Sequence, residues 1–258
     1  METGNGNGIQ VVARLRPVNS KEKREGTPPV VSSNTAAQTV SVVKTTGKTQ
    51  NKTSFKADSV FGSFSTQEEV FDETMPPILK DVIKGFESTV FAYGQTGTGK
   101  THTMEGDISS EEQRGIIPRA AAAIFKKLQA DEIIEKTVSV SYLEIYNTEM
   151  NDLLLPGPPV EAKSSGPGKT SSKESAGARL RVVEGAGNAG VYCLGLTSQK
   201  VETVADVLKA LQDAQERRSV GETKMNKASS RSHCIFTMRV SRPTRHKATP
   251  QLDFHGRL

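Results

Sequence analysis

A glycine-rich segment in the first half of the chain has the residue types that bind phosphates. Residues 94–101 read Gly-Gln-Thr-Gly-Thr-Gly-Lys-Thr and match the pattern GxxxxGK[ST] at every fixed position. Glycines let the backbone curl so that its N–H groups point at phosphate oxygens, and a helix beginning there adds its positive end. In this pattern Lys100 supplies a cation for the β- and γ-phosphates, and Thr101 supplies a hydroxyl ligand for Mg²⁺. The predicted nucleoside triphosphate site therefore comprises Gly94, Gln95, Thr96, Gly97, Thr98, Gly99, Lys100 and Thr101.

A second Gly-Lys-Thr sequence, at residues 168–170, lacks the rest of the pattern. The glycine required five positions before Gly168 is replaced by Lys163, and no predicted strand precedes it. The surrounding residues 156–177 are dense in Pro, Gly, Ser and Lys, which predicts an exposed, flexible loop insertion. We expect no nucleotide role for this segment.

A polar group lies far downstream, at residues 226–233, which read Asn-Lys-Ala-Ser-Ser-Arg-Ser-His. Its hydroxyl groups and single guanidinium have the chemistry to close over a γ-phosphate. The residues alone fit a serine-rich surface turn equally well. Both interpretations stay open at this level.

The pattern of apolar residues predicts the elements that position these groups. Residues 1–8 are polar and glycine-rich, which predicts a disordered leader. A capping box at residues 65–68 predicts the start of a helix that Pro76 and Pro77 must break or kink. The remaining predicted elements are strands over 9–15, 39–43, 88–93 (buried), 137–146 and 234–240, and helices over 116–130 and 204–218. Alternating strands and helices indicate a layered α/β fold, with His246 and His255 in a basic, proline-containing tail that has no assigned role.

Composition limits the class of protein. The chain has 258 residues, is 34% hydrophobic and carries a net charge of +5, which suits an acidic partner without selecting one. Cys193 and Cys234 are too few for a disulfide framework, and both are expected to be reduced packing residues. No signal peptide or membrane-length apolar run is present, which favours a cytosolic protein.

Several motifs in order resemble those of the kinesin motor family. Residues 91–106 are similar to the family's phosphate loop beyond the generic pattern, residues 226–233 fit its switch I motif NxxSSRSH, and residues 14–17 resemble its RxRP motif. Residues 115–119, 141–147, 152–154 and 190–195 also match in order and approximate spacing. The resemblance implies an α/β P-loop NTPase with a central sheet, mostly parallel or mixed, flanked by helices.

The resemblance also implies roles for individual residues. Arg14, Arg16, Pro17 and His102 would line the adenine pocket, although the sequence context of His102 alone favours a surface histidine. Thr101 and Ser230 would ligate Mg²⁺, Asn226 and Ser229 would help to position water and phosphate, and Arg231 would pair with an acidic residue of switch II. The implied activity is ATP hydrolysis coupled to movement along microtubules, with ATP and Mg²⁺ as cofactors.

In the family, a strand that begins like Gly256-Arg257-Leu258 leads directly into the switch II motif, of the type DLAGSE. Residues 9–258 are therefore expected to form a partial motor domain. The main microtubule-binding helix, the last core strand and the neck linker would also come later. We therefore expect weak nucleotide binding, poor hydrolysis and marginal stability, because two central strands would be absent from the sheet.

The expected partner is the microtubule, with neither nucleic acid nor membrane, and oligomerisation through a coiled-coil stalk outside this chain. Lys163, Lys169 and Lys173 would either contact acidic tubulin or lie in a solvated loop. The expected location is the cytoplasm, on the microtubule cytoskeleton, including the mitotic spindle. Residues 84–91 favour the bipolar mitotic (BimC-type) kinesins, whereas the short segment 107–113 argues against them.

Two other classes of function fit parts of the sequence. One is a nucleotide-binding microtubule adaptor or an inactive motor fragment, but the phosphate loop and switch I are intact at every key position. The other is an unrelated P-loop enzyme, such as a GTPase or small-molecule kinase. A GTPase would need an NKxD guanine reader, and Asn226-Lys227 is followed by Ala and Ser.

Overall fold

The computed structural model divides the chain into two compact units. One comprises Met1–Ile78 with Gly97–Ile116, and the other comprises Leu79–Thr96 with Ile117–Leu258. The structure describes residues 8–26, 28–46, 49–130, 136–155, 180–185, 190–224, 232–241 and 252–257, without side-chain detail at 45–46, 219–224 and 252–257.

The first unit contains a short parallel strand pair and a separate three-stranded antiparallel sheet. Strand β1 (Val12–Arg14) pairs with β5 (Ser59–Phe61), and a single-turn helix α1 (Ser20–Arg24) follows β1. The three-stranded sheet has the order β2 (Val31–Asn34), β3 (Thr39–Thr46) and β4 (Thr49–Lys56). The predicted strand over 39–43 is thus confirmed and is longer than expected, and the predicted strand over 9–15 is confirmed at its centre.

Helix α2 (Gln67–Lys84) runs through Pro76 and Pro77 without ending, so of the predicted break or kink the break is wrong. Each interior proline costs about 3 kcal/mol through its missing N–H group and steric clash. The helix buries Val70, Met75, Leu79 and Val82, each at most 3% exposed. Burying such a side chain contributes about 1.5–3 kcal/mol, so these four together offset the two prolines.

The second unit contains a mixed six-stranded sheet. The chain forms strands β6 (Ser88–Phe91), β7 (Thr137–Tyr146), β8 (Glu149–Asp152), β9 (Arg181–Glu184), β10 (Val191–Leu194), β11 (Gln199–Val201), β12 (His233–Ser241) and β13 (Leu252–Arg257). The sheet order is β11-β7-β12-β13-β6, with β8 paired to β7, while β9 and β10 form a separate antiparallel pair. In the described sheet β13 and β6 pair parallel and the other neighbours pair antiparallel, so the sheet is mixed and the alternative of a mostly parallel sheet is wrong. Strands β7 and β12 confirm two of the sequence predictions.

Strand β13 corrects the expectation that His255 lies in a tail, since it begins at Leu252, before the strand start that the resemblance places at Gly256. Its residues pair antiparallel with β12, from Val240↔Leu252 to Ile235↔Arg257, and parallel with β6, from Phe254↔Ser88 to Arg257↔Phe91. His255 therefore lies in a sheet strand. The six-residue sequence Leu-Asp-Phe-His-Gly-Arg has a weak intrinsic strand propensity. Pairing with a strand on each side stabilises the strand conformation instead.

Two long helices and the sheet form the core of the second unit. Helix α4 (Ile116–Gln129) begins at the predicted position, and α5 (Val204–Lys224) extends beyond its predicted end. On α5 the residues Val207, Ala210, Leu211 and Ala214 are at most 2% exposed and recur at helical spacing. On the sheet, Tyr142 and Phe236 pack edge to face, with ring centroids 5.4 Å apart. Strand β6 is less buried than predicted, since Phe91 is 63% exposed.

Among the helices in the described ranges, none combines the length and apolarity needed to cross a membrane.

The packing of α5 predicts a specific loss of stability. Leu211→Ala, at a fully buried position, should lower the free energy of unfolding by about 2–5 kcal/mol because it removes apolar contacts and leaves a cavity. The same change at the half-exposed Leu194 should lower it by less than about 1 kcal/mol. Urea unfolding followed by circular dichroism measures both, and equal losses would contradict the assignment of α5 to the core.

Candidate nucleotide site

The phosphate loop has the local geometry that its sequence pattern requires. It follows β6 in the chain and leads into α3 (Lys100–Met104), which is the predicted strand, turn and helix. Gly97 has φ 80° and Gly99 has φ 97°, a region that residues with a Cβ rarely adopt. Gly99 is the N-cap of α3, and its carbonyl accepts a hydrogen bond from the Thr103 N–H at 2.9 Å. Lys100 and Thr101 therefore occupy the first turn of a helix.

A pocket in the first unit brings together residues that the sequence predicts for the base. Its volume is about 250 Å³, just below the roughly 300–1,000 Å³ typical of pockets that enclose a whole drug-sized ligand, so it suits part of a ligand. It is lined by Arg14, Arg16, Pro17, Thr98, Gly99 and His102, among others. Gly99 faces Arg16 so closely that a Cβ on Gly99 would lie 3.8 Å from the Arg16 Cβ. The RxRP segment and the second half of the phosphate loop thus share one wall.

The other residues of the phosphate pattern lie next to the pocket in sequence and do not line it. These are Gly94, Gln95, Thr96, Gly97, Lys100 and Thr101, which belong to the loop and to the start of α3. A nucleotide site needs separate groups for its base and its phosphates, and the pocket residues and the remaining loop residues are separate in this way.

Arg14 is a partly buried cation surrounded by neutral acceptors. Its guanidinium donates to the Gln67 Oε1 at 2.7 Å, the Thr103 Oγ1 at 3.0 Å and the Ser65 carbonyl at 3.3 Å. Burial lowers the pKa of Arg14 from its usual value, but a guanidinium stays charged at neutral pH. These neutral oxygens orient the charge without cancelling it, which leaves a positive group beside the pocket that attracts an electron-rich ring.

Gln67 is the most buried of the pocket residues that the sequence did not predict. Its side chain is 4% exposed, accepts the bond from Arg14, and donates from Nε2 to the His102 carbonyl at 2.6 Å and the Gln113 carbonyl at 3.0 Å. The sequence predicted a capping box over residues 65–68. The structure instead has Thr66 and Glu69 in that arrangement, since the side chain of each accepts the backbone N–H of the other. Nothing in the sequence distinguishes Gln67 from the other polar residues of this turn.

Arg16 is held by an ion pair at the start of α1. Its two terminal nitrogens contact the Glu22 carboxylate at 2.8 and 2.5 Å, and it also donates to the Pro17 carbonyl at 2.8 Å. The hydrogen bond from Arg16, then that from the Asn19 backbone, lowers the pKa of Glu22 to about 2. The same contact raises the pKa of Arg16. Arg16 therefore lines the pocket with its charge already paired.

His102 lies on the pocket wall and is exposed. Burial, and then the positive charge of Arg14, lower the pKa of His102 below the usual histidine value. The imidazole is consequently neutral at pH 7 and offers a flat, uncharged face. His102 is exposed and also lines the pocket, so its position fits both interpretations.

The predicted switch I residues Asn226, Ser229, Ser230 and Arg231 lie outside the described residues, as does the insertion 156–177. Within the described ranges, no cluster of three or more His, Cys, Asp or Glu side chains is arranged to hold a metal ion. Magnesium in such a site typically keeps most of its ligands as water and phosphate oxygens, with one or two from protein. The hydroxyl of Thr101, directly after the glycine cradle, fits that role.

The fold and the pocket define a P-loop nucleotide-binding protein of the α/β class. A family model described as "Kinesin motor domain" matches residues 14–258. The chain belongs to the kinesin motor domain family, which confirms the resemblance and the fold class predicted from its motifs.

Curated relatives cover nearly the whole of this chain. "Kinesin-like protein KIN-5A" from Arabidopsis thaliana is 38% identical over 244 residues, which are 93% of this chain and 22% of that protein. "Chromosome-associated kinesin KIF4" from Mus musculus is 36% identical over 254 residues, which are 97% of this chain and 18% of that protein. The chain thus spans about a fifth of the length of these relatives.

The comparison with a solved structure supports the same family. The chain described by "Structure of a fast kinesin: Implications for ATPase mechanism and interactions with microtubules" superposes with a TM-score of 0.80 at 34% identity. The match covers 96% of this chain and 64% of that chain. Several curated relatives are KIN-5 proteins, which agrees with the predicted similarity to BimC-type kinesins.

The hydrogen bonds of Gln67 predict its contribution to stability. Gln67→Leu should lower the free energy of unfolding by about 2–4 kcal/mol, because Arg14 and two backbone carbonyls lose a partner at a buried position. Gln129→Leu, at the exposed end of α4, is the control and should change it by less than about 0.5 kcal/mol. Chemical denaturation of both variants is the measurement, and equal effects would show that the network contributes nothing.

The electrostatic effect of Arg14 on His102, which adds to that of burial, predicts the direction of a pKa change. A positive neighbour disfavours the imidazolium, so Arg14→Gln should raise the pKa of His102 toward the usual value of about 6.5. Arg16→Gln should leave this pKa unchanged, because the charge of Arg16 is paired with Glu22. An NMR titration of the His102 ring resolves both, since the chain has only 4 histidines. An unchanged pKa in the Arg14 variant would contradict the assigned interaction.

Proposed function

We propose that the protein containing this chain is an ATP-driven microtubule motor, and that the pocket of the first unit binds the adenine base. The observation that carries the proposal is the shared pocket wall, where the RxRP segment meets Thr98 and Gly99 of the phosphate loop. Membership of the kinesin motor domain family supports it. The base would lie in the pocket and the phosphates along residues 94–101.

The phosphates would be held by the loop backbone and by Lys100. Gly97 and Gly99 have left-handed conformations, which let the N–H groups of the loop point to one side. Loops of this kind bind phosphate oxygens with those N–H groups. Lys100 supplies a positive charge at the start of α3. Thr101 would hold Mg²⁺, which when bound neutralises phosphate charge during hydrolysis.

The base would be bound by the shape of the pocket and by stacking on flat side chains. Arg14 presents a guanidinium fixed by three hydrogen bonds, and His102 presents a neutral imidazole. Both groups stack on an aromatic ring without requiring a particular hydrogen-bonding edge. Gln67 orients Arg14 and touches the backbone of His102, so it would position the base indirectly.

Hydrolysis would require the switch residues. We propose that Asn226 and Ser229 position water and phosphate, that Ser230 joins Thr101 on Mg²⁺, and that Arg231 pairs with an acidic switch II residue. These 258 residues contain no DLAGSE-type sequence. For this polypeptide by itself we therefore propose slow hydrolysis or none, and we assign microtubule-stimulated ATPase activity to a protein that carries both switches.

The proposed partner is the microtubule. The solved kinesin that this chain resembles is described as having "interactions with microtubules", and the net charge of +5 on this chain suits an acidic lattice. Lys163, Lys169 and Lys173 of the insertion are candidate contacts. We further propose a cytoplasmic protein on the microtubule cytoskeleton, including the spindle, that oligomerises through a stalk, with neither nucleic acid nor membrane as a partner.

The two Gly-Lys-Thr sequences provide a matched test of the phosphate site. Lys100→Ala should weaken Mg·ATP binding by about 10- to 150-fold, since it removes a charge-assisted contact to phosphate. Lys169→Ala changes the same residue type in the same tripeptide and should leave binding unchanged. Calorimetric titration of both variants makes the comparison. Equal affinities for the two variants would rule out residues 94–101 as the phosphate site.

A further inference from the structure

An exposed phenyl ring forms part of the wall of the base pocket. Phe64 lines the pocket and is 96% exposed, whereas Phe61 and Phe71, its neighbours in sequence, are buried at 5% and 9% exposure. Among the described residues that line the pocket, Phe64 carries the one phenyl ring. A single exposed aromatic is common on protein surfaces. Its position on this wall is what points to a ligand.

The backbone that carries Phe64 is fixed by contacts before and after it in the chain. Ser63 and Phe64 occupy a turn closed by a hydrogen bond from the Ser65 N–H to the Gly62 carbonyl at 3.1 Å. The turn follows the buried strand β5, and the Ser65 carbonyl accepts a bond from Arg14. The ring is therefore carried by a short, fixed segment that is tied to the same guanidinium as the rest of the pocket.

The chemistry of the pocket favours a flat aromatic ligand. The phenyl ring, the Arg14 guanidinium and the neutral His102 imidazole all bind the face of a π system. Water hydrogen-bonds the polar groups of a free base, so these groups gain little free energy from the pocket. A phenyl ring gains free energy when its apolar face is covered and removed from water. Stacking on a base is thus the contact that this ring makes best.

We propose that Phe64 stacks on the base of the bound nucleotide and is an affinity-determining residue of the site. The proposal rests on the proposed function, since it requires that the pocket binds a base. Every base has a π face, so the contact selects nucleotides over base-free polyphosphates without selecting one base. It adds a binding residue to the RxRP segment and His102.

A tryptophan substitution provides a direct reporter, because the chain contains no tryptophan. In Phe64→Trp the indole replaces the ring that stacks, so its fluorescence should be quenched by Mg·ATP and unchanged by magnesium tripolyphosphate, which has no base. The matched control is Phe55→Trp, on strand β4 at 58% exposure, whose fluorescence should respond to neither ligand.

Affinity measurements test the same contact in the absence of a reporter. Phe64→Ala should bind Mg·ATP about 5- to 150-fold more weakly than the unsubstituted chain and bind tripolyphosphate equally well, while Phe64→Tyr should retain the affinity for ATP. Unchanged ATP affinity in Phe64→Ala would overturn the proposal while leaving ATP binding intact. Equal weakening for both ligands would also overturn it, because the residue would then act through the fold.

The behaviour of the unsubstituted chain separates this proposal from the proposed function. If that chain binds ATP no more tightly than tripolyphosphate, then the pocket binds no base, the proposed function fails at this site, and the role of Phe64 falls with it. If it prefers ATP, the Phe64 variants alone decide the proposal.

Discussion

The hydrogen bond from Arg14 to Gln67 is the constraint on which the rest of the candidate site depends. A half-buried guanidinium keeps its charge, so its donors must find oxygens, and Gln67 supplies one at 2.7 Å. The same amide holds the carbonyls of His102 and Gln113. Strand β1, the start of α2 and the residues around α3 are thereby joined at one buried side chain. The pocket keeps its shape because these segments share that side chain.

This constraint also determines the electrostatics of the pocket. Arg16 is paired with Glu22, and His102 is neutral because burial and Arg14 lower its pKa. The wall therefore presents a fixed guanidinium beside uncharged flat groups. A base suits this surface better than a carboxylate or phosphate does, whereas Lys100 and the glycine turns suit phosphates. Two kinds of chemistry thus lie next to each other along residues 94–102.

The parts of this site that the sequence predicts are those defined by local pattern. Gly97, Gly99, Lys100 and Thr101 follow from a short motif, since the turn itself requires glycine and a following helix. Gln67 was missed because its partners are distant in sequence and its own neighbourhood resembles an ordinary helix start. For the same reason the tail predicted around His255 is wrong, since β13 depends on pairing with β12 and β6. The break that was one alternative for α2 is wrong because that helix depends on burial.

The most direct test of the account is amide hydrogen–deuterium exchange of this chain with and without Mg·ATP. Backbone N–H groups that hold phosphate exchange slowly, so residues 94–104 should exchange more slowly when ATP is present. Residues 39–56 of the three-stranded sheet, which take no part in the site, should exchange at the same rate in both conditions. Unchanged exchange in residues 94–104, or slowing confined to other segments, would contradict the assignment of the phosphate loop.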